Sequence, residues 1–227
     1  MNADKRKVWN ANHKILTGMI VKPAEHERAV DLFLKQHALL YASRMANTPY
    51  PTFEDELMND MSEDLLRKYP VVMKDTRNSI AWHLWHITRI EDITMNILVK
   101  GSGQIAHTGA WFDRMKVNVQ HSGNEMESHE IAAFSKAIDI DALLDYRIAV
   151  ARRTREIVQS LQPGQFKQKV EAARLARLHE QGALSEKSAW LADYWGGKTV
   201  AGLVLMPATR HSFVHLNKSL RIKHKYL

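Results

Sequence analysis

Apolar residues along this chain return mostly every three or four positions, the spacing of one helix face, and few stretches alternate as a strand would. Ala29, Leu32, Phe33, Gln36, Leu39 and Leu40 mark a first helix. Pro23 suits its first helical position, and it should end before Asn47-Thr48-Pro49, because the residue preceding a proline resists helical geometry. Ser62, followed by Glu63 and Asp64, predicts the capped start of a short helix ending near Tyr69-Pro70. A second long helix is expected to start at Asn78 or Ser79 and run to about Lys100, where Gly101-Ser102-Gly103 stops it. Asp139 or Asp141 caps a third, carried by Leu143, Leu144, Ile148, Val150, Ala151, Ile157, Val158 and Leu161 and closed by Pro163-Gly164. Thr199 caps the last, which reaches about Lys223. Residues 101–135 are polar and irregular and predict a long connection with short helical turns. Residues 165–190 predict an extra helix rich in Ala, Arg and Glu. The whole pattern predicts an all-α fold: a four-helix bundle with additional short helices in long connections.

Composition narrows this picture without redirecting it. With 45% hydrophobic and 25% charged residues, 227 residues suit one globular domain spanning 1–227, with 1–22 expected to be loosely structured. There is no cysteine, which excludes disulfides, thiolate metal sites and a cysteine nucleophile. The first residues are charged with no apolar run behind them, and nothing approaches the roughly 18 apolar residues of a membrane span, so a cytoplasmic protein is expected. The net charge of +7 is scattered. Its densest run, Lys218, Arg221, Lys223, His224 and Lys225, reads either as a helix end whose cations complement the helix dipole or as a tail for nucleic acid or phosphate.

Two of the 12 histidines, His211 and His215, are four residues apart on the last helix and therefore share a face. Val200, Leu203, Val204, Pro207 and Val214 predict an inward stripe with His211 near its centre and His215 near its edge. Imidazoles facing a core are costly unless paired or metal-bound. The spacing alone favours a structural or surface pair, because four-apart histidines are common and the glutamate of a His-Glu-x-x-His motif is missing. A third ligand would come from the second helix, where Ser79 to Asp92 carries Trp82, His83, Trp85, His86, Arg89, Glu91 and Asp92. Pro207, one turn before His211, is expected to kink the last helix. Trp82, Trp85, Trp190 and Trp195 are candidates either for a pocket wall or for the core.

The segment Ser79–Asp92 resembles the second helix of DinB-like (DinB/YfiT) proteins, and Pro207–Leu216 resembles that family's last helix with its His-x-x-x-His pair. The resemblance implies a four-helix bundle holding one divalent metal ion, zinc or nickel, through three histidines: His86, His211 and His215. His86 is the match because Ile87 follows it and Glu91 stands at the family's acidic position. The apolar residues Ile80, Leu84, Ile87, Ile90 and Leu98 centre nearer His83, which stays open as the alternative ligand. Three neutral imidazoles about 2.0–2.1 Å from zinc leave a coordination position open. Water there falls toward a pKa of ~7, and a thiol loses its proton. Glu91 and Asp92 are candidates to orient the ligands, Glu91 also as general base, and Asp92 alternatively for a surface salt bridge with Arg89. Arg210 is a candidate to bind an anionic group. The resemblance implies a thiol S-transferase that uses a low-molecular-weight thiol on a small electrophile. The alternatives are a metal-dependent hydrolase and a non-catalytic, stress-related protein that sequesters a small molecule or metal. A homodimer is expected from the resemblance and from general prevalence.

Overall fold

The computed structural model describes residues 3–227, and among these no residue lies in a strand. Successive helices are α1 (Ala3–Met19), α2 (His26–Ala38), α3 (Phe53–Met58), α4 (Glu63–Arg67) and α5 (Ile80–Asp92), the last continuing as a π-helical segment, Ile93–Lys100. Then come α6 (Trp111–Arg114), α7 (Ser128–Ala137), α8 (Ile140–Ser160), α9 (Ala172–Glu180) and α10 (Trp190–Gly196). The last helix is divided into α11 (Val200–Leu205), a π-helical turn over Met206–His211, and α12 (Ser212–Tyr226). None of these helices is long and apolar enough to cross a membrane.

The expected caps form, each satisfying a backbone N–H that the first helical turn leaves orphaned. Ser62 accepts from Leu65 N–H, Ser79 from Trp82 N–H, Asp139 from Ala142 N–H and Thr199 from Gly202 N–H. Gly101 ends the second long helix in the left-handed conformation (φ 72°), which glycine adopts without steric cost. α5 lies at the centre, against α8 and α12, and every one of its residues is buried.

The N-terminal segment departs from expectation. Residues 3–19 of the stretch expected to be loose form α1, and Met1 and Asn2 fall outside the described residues. Trp9, His13, Leu16 and Ile20 make a buried stripe at helical spacing. Trp9 stacks on Phe213 of α12 at 3.9 Å.

Two buried arginines tie the bundle together. Arg147 on α8 donates to Glu54 on α3 (2.5 and 3.0 Å) and to Thr88 Oγ1 on α5 (2.8 Å). Arg89 on α5 donates to Asp92 (3.1 Å) and Tyr146 Oη (2.8 Å), and also to the carbonyl of Gln120 (2.6 Å) in the long connection. Asp92 accepts in turn from Tyr146 Oη (2.6 Å), Asn96 and the backbone N–H groups of Ile105 and Ala106. The Arg89–Asp92 pair is thus fully buried and anchors the connection, so it is neither the surface bridge given as one role for Asp92 nor a partner of the three histidines. Removing one member of such a pair typically costs about 3–5 kcal/mol, since the other charge is left buried alone.

The interruption of the last helix has an explicit cause. Pro207 lacks an N–H and sits in the π turn. Within the turn, the carbonyl of Leu205 accepts from Thr209 Oγ1 (2.7 Å) and from His13 Nε2 of α1 (3.1 Å). The wide turn also alters the register beyond it: Val214, expected on the inward stripe, is exposed.

Candidate metal centre

His86 on α5 meets His211 and His215 at the junction of the π turn and α12. One ring nitrogen of each lies within 4.8 Å of the others, an arrangement that could hold one metal ion. Ring centroids are 5.0 Å apart for His86–His211, 5.1 Å for His86–His215 and 4.5 Å for His211–His215. His86 is buried, and the other two are half-buried.

Hydrogen bonds set which ring nitrogens remain available. His86 Nδ1–H donates to the carbonyl of Ser122 (2.7 Å), which leaves Nε2 with its lone pair free. Gly123 holds this loop against Trp85: its φ is +81°, and a Cβ there would meet the tryptophan ring at 2.4 Å. His215 Nδ1 pairs with His83 Nδ1 (2.9 Å), and His83 Nε2 pairs with Thr76 Oγ1 (2.9 Å). Two proton arrangements satisfy this chain. Only one, with His215 Nδ1–H donating to His83 and His83 Nε2–H donating to Thr76, leaves His215 Nε2 free to bind. Both nitrogens of His83 are therefore engaged, as those of an orienting group would be. His211 Nδ1 is buried without a partner, a costly situation for a polar atom that a bound ion would relieve.

Burial keeps all four rings neutral, the state metal binding needs. His86 is lowered to about 4 and His83 to about 3, in both cases chiefly by desolvation. His211 and His215 fall well below the ordinary histidine value, again mainly by desolvation and then by the neighbouring imidazoles. Trp82 stacks on His86 at 4.5 Å, nearly parallel.

On its open side the cluster faces a cavity of about 260 Å³, lined by His86 and His211 together with Ile90, Asn124, Trp190, Leu191, Tyr194, Trp195, Met206 and Pro207. No Asp, Glu, Lys or Arg is among these residues. Of the four candidate tryptophans, Trp190 and Trp195 line the cavity, Trp82 covers His86, and Trp85 packs on Phe134 in the core.

A model of the DinB superfamily matches residues 55–216, well over half of the chain. The chain belongs to the DinB superfamily. No curated protein matches it significantly. Within this DinB-superfamily fold the other predicted site residues stand elsewhere. Glu91 is fully buried on another side of α5, where its carboxylate accepts from His37 Nε2 (2.9 Å) and Tyr41 Oη (2.5 Å). Both its oxygens are thus engaged away from the three histidines. Asp92 orients the connection, as described above. Arg210 turns from His211 toward α1, donating to Asn10 Oδ1 (2.6 Å) and His13 Nδ1 (3.3 Å) and lying over the Trp9 ring. The C-terminal cations likewise have partners. Arg221 pairs with Asp75, Lys223 donates to the carbonyls of Glu56 and Asn59, and Lys225 donates to that of Val72.

Two residues that matter at the site were not anticipated: Ser122 and Thr76. Ser122 acts through its backbone carbonyl, for which a sequence carries no side-chain signal.

Proposed function

We propose that this DinB-superfamily protein binds one divalent metal ion, zinc or nickel, through His86, His211 and His215, and transfers the sulfur of a low-molecular-weight thiol to a small electrophile. The observation that carries this reading is the convergence of three neutral imidazoles beside a cavity with no carboxylate. When bound, such an ion supplies Lewis acidity that holds a thiol as its thiolate at neutral pH.

The chain itself does the rest. Ser122 and His83 hold two of the rings in the tautomer and orientation that binding needs, and Trp82 backs His86. The apolar walls exclude water from the electrophile, which favours sulfur over hydroxide as the attacking group. In the net reaction a sulfur–carbon bond forms, the bond to the leaving group breaks with its electron pair, and the thiol proton passes to solvent. The thiol comes from a co-substrate, since the chain has no cysteine. Base-assisted hydrolysis is the weaker reading, because Glu91, its intended base, has both oxygens bound by His37 and Tyr41.

The test has two stages. Elemental analysis of the purified protein should find about one zinc or nickel per chain, and His211→Ala should lose it. Metal-loaded protein should then conjugate at least one of a panel of cellular thiols to an uncharged electrophile. Absence of stoichiometric metal overturns the whole reading. Stoichiometric metal with no conjugation on any thiol overturns the transferase and leaves a binding protein.

A further inference from the structure

Resting on that reading of the site, we infer that the electrophile is an uncharged, flat aromatic molecule of one or two rings, seated against Trp190 at the mouth of the cavity.

Large exposed side chains on a soluble protein are normally scattered, and a contiguous group of them marks a ligand or partner site. Trp190 (50% exposed), Tyr194 (42%) and Met206 (37%) are among the exposed large hydrophobics of this chain, and all three line the same cavity that His86 and His211 border. Trp190 and Tyr194 sit one turn apart on α10, their rings 6.3 Å apart at 64°. A flat guest against Trp190 can meet the edge of the tyrosine. The α10 platform is fixed from below by the buried Leu191 and Trp195. It is fixed from the side by α9, where a Cβ on Gly196 would meet Leu175 at 2.8 Å.

Size and charge restrict the guest further. A cavity of about 260 Å³ lies below the common range of drug-sized pockets, about 300–1,000 Å³. Its polar groups are the Asn124 amide, the Tyr194 hydroxyl, the indole N–H groups and the neutral histidines. At the rim, Lys198 Nζ lies over the Tyr194 ring at 4.3 Å. In the metal-free protein a carboxylate or ammonium carried into the cavity would meet no opposite charge among the residues that line it, a cost that an uncharged ring avoids. Stacking adds to the burial of the ring itself, about 0.5–1.5 kcal/mol per aromatic pair.

The test uses full-length protein kept metal-free with a chelator, so that it does not depend on the ion. Binding of 1-naphthol, 1-naphthalenesulfonate and the saturated 1-decalol is measured by calorimetry on wild type and on Trp190→Leu, an exposed position whose replacement leaves the core intact. Naphthol should bind at least ten times more tightly than the sulfonate and about two- to twelve-fold more tightly than decalol. Trp190→Leu should weaken naphthol by about two- to twelve-fold, the stacking increment expressed as affinity. Equal affinity for the sulfonate overturns the charge argument, equal affinity for decalol overturns the aromatic one, and an unaffected Trp190→Leu overturns the seat. A zinc titration of the same wild-type sample reads the metal site separately, so failure of either idea is seen without the other.

Discussion

The hydrogen bond between His83 and His215 gives the site its most demanding prediction. With the ion bound, His215 offers Nε2 and must therefore carry its proton on Nδ1, which His83 Nδ1 accepts at 2.9 Å. His83→Phe keeps a ring of similar shape beside Trp82, whose centroid is 5.4 Å away, but removes that acceptor. Without the ion, His215 can move its proton to Nε2 and leave Nδ1 bare. Binding then forces an unpaired N–H into a dry place, at a cost of about 1–3 kcal/mol. Because the metal-free protein escapes this cost, it falls on affinity rather than on folding. The expected result is a zinc dissociation constant raised about 10–100-fold, the usual effect of deleting an orienting partner. It is to be measured by competition with a chromophoric chelator at pH 7.5. His83→Gln, whose side-chain oxygen can accept, should recover part of the loss, and Thr76→Val should show a smaller one. A folded His83→Phe protein that binds zinc as tightly as wild type would refute the tautomer argument.

Two further outcomes are expected. In the metal-free protein, His86 titrates near 4, whereas in the unfolded chain it titrates near 6.5. Below pH 6.5 the unfolded state therefore binds the extra proton, and stability should fall as the pH drops, levelling off below about 4. This one residue accounts for a loss on the order of 3 kcal/mol, visible in urea midpoints at pH 7.5, 5.5 and 4.5; midpoints independent of pH over that window would contradict it. Glu91→Gln should lower the urea midpoint by roughly 1–3 kcal/mol of stability, because an amide cannot accept from both His37 and Tyr41. Its metal content should stay that of wild type, and loss of the ion in a folded Glu91→Gln protein would return the residue to the site.

What the sequence could reveal follows from which side chains face water. Helix caps were legible because Ser79, Asp139 and Thr199 act locally, on N–H groups three residues ahead. The choice of His86 over His83 came from the resemblance and not from periodicity, because Ile80–Asp92 is buried on all sides and offers no polar face against which to phase the apolar residues. α1 was missed for the opposite reason: its buried stripe includes His13 and is flanked by exposed Val8 and Ile15, so the period is blurred. Glu91 and Arg210 looked chemically apt beside the histidines in the chain. The partners that occupy them, His37, Tyr41, Asn10 and His13, lie on distant helices that no local pattern names.

The wide turn over Met206–His211 has a consequence for anyone comparing related sequences. It accommodates a surplus residue relative to a regular helix, in which each residue advances about 100° around the axis. A relative one residue shorter between Thr199 and His211 could wind normally and keep both histidines four apart. A relative of equal length whose helix wound regularly through this stretch would instead turn the pair about 100° away from His86. Counting histidines would not tell these two relatives apart, whereas a single-residue gap at this point would mark a chain that has dispensed with the wide turn and still closes the triad.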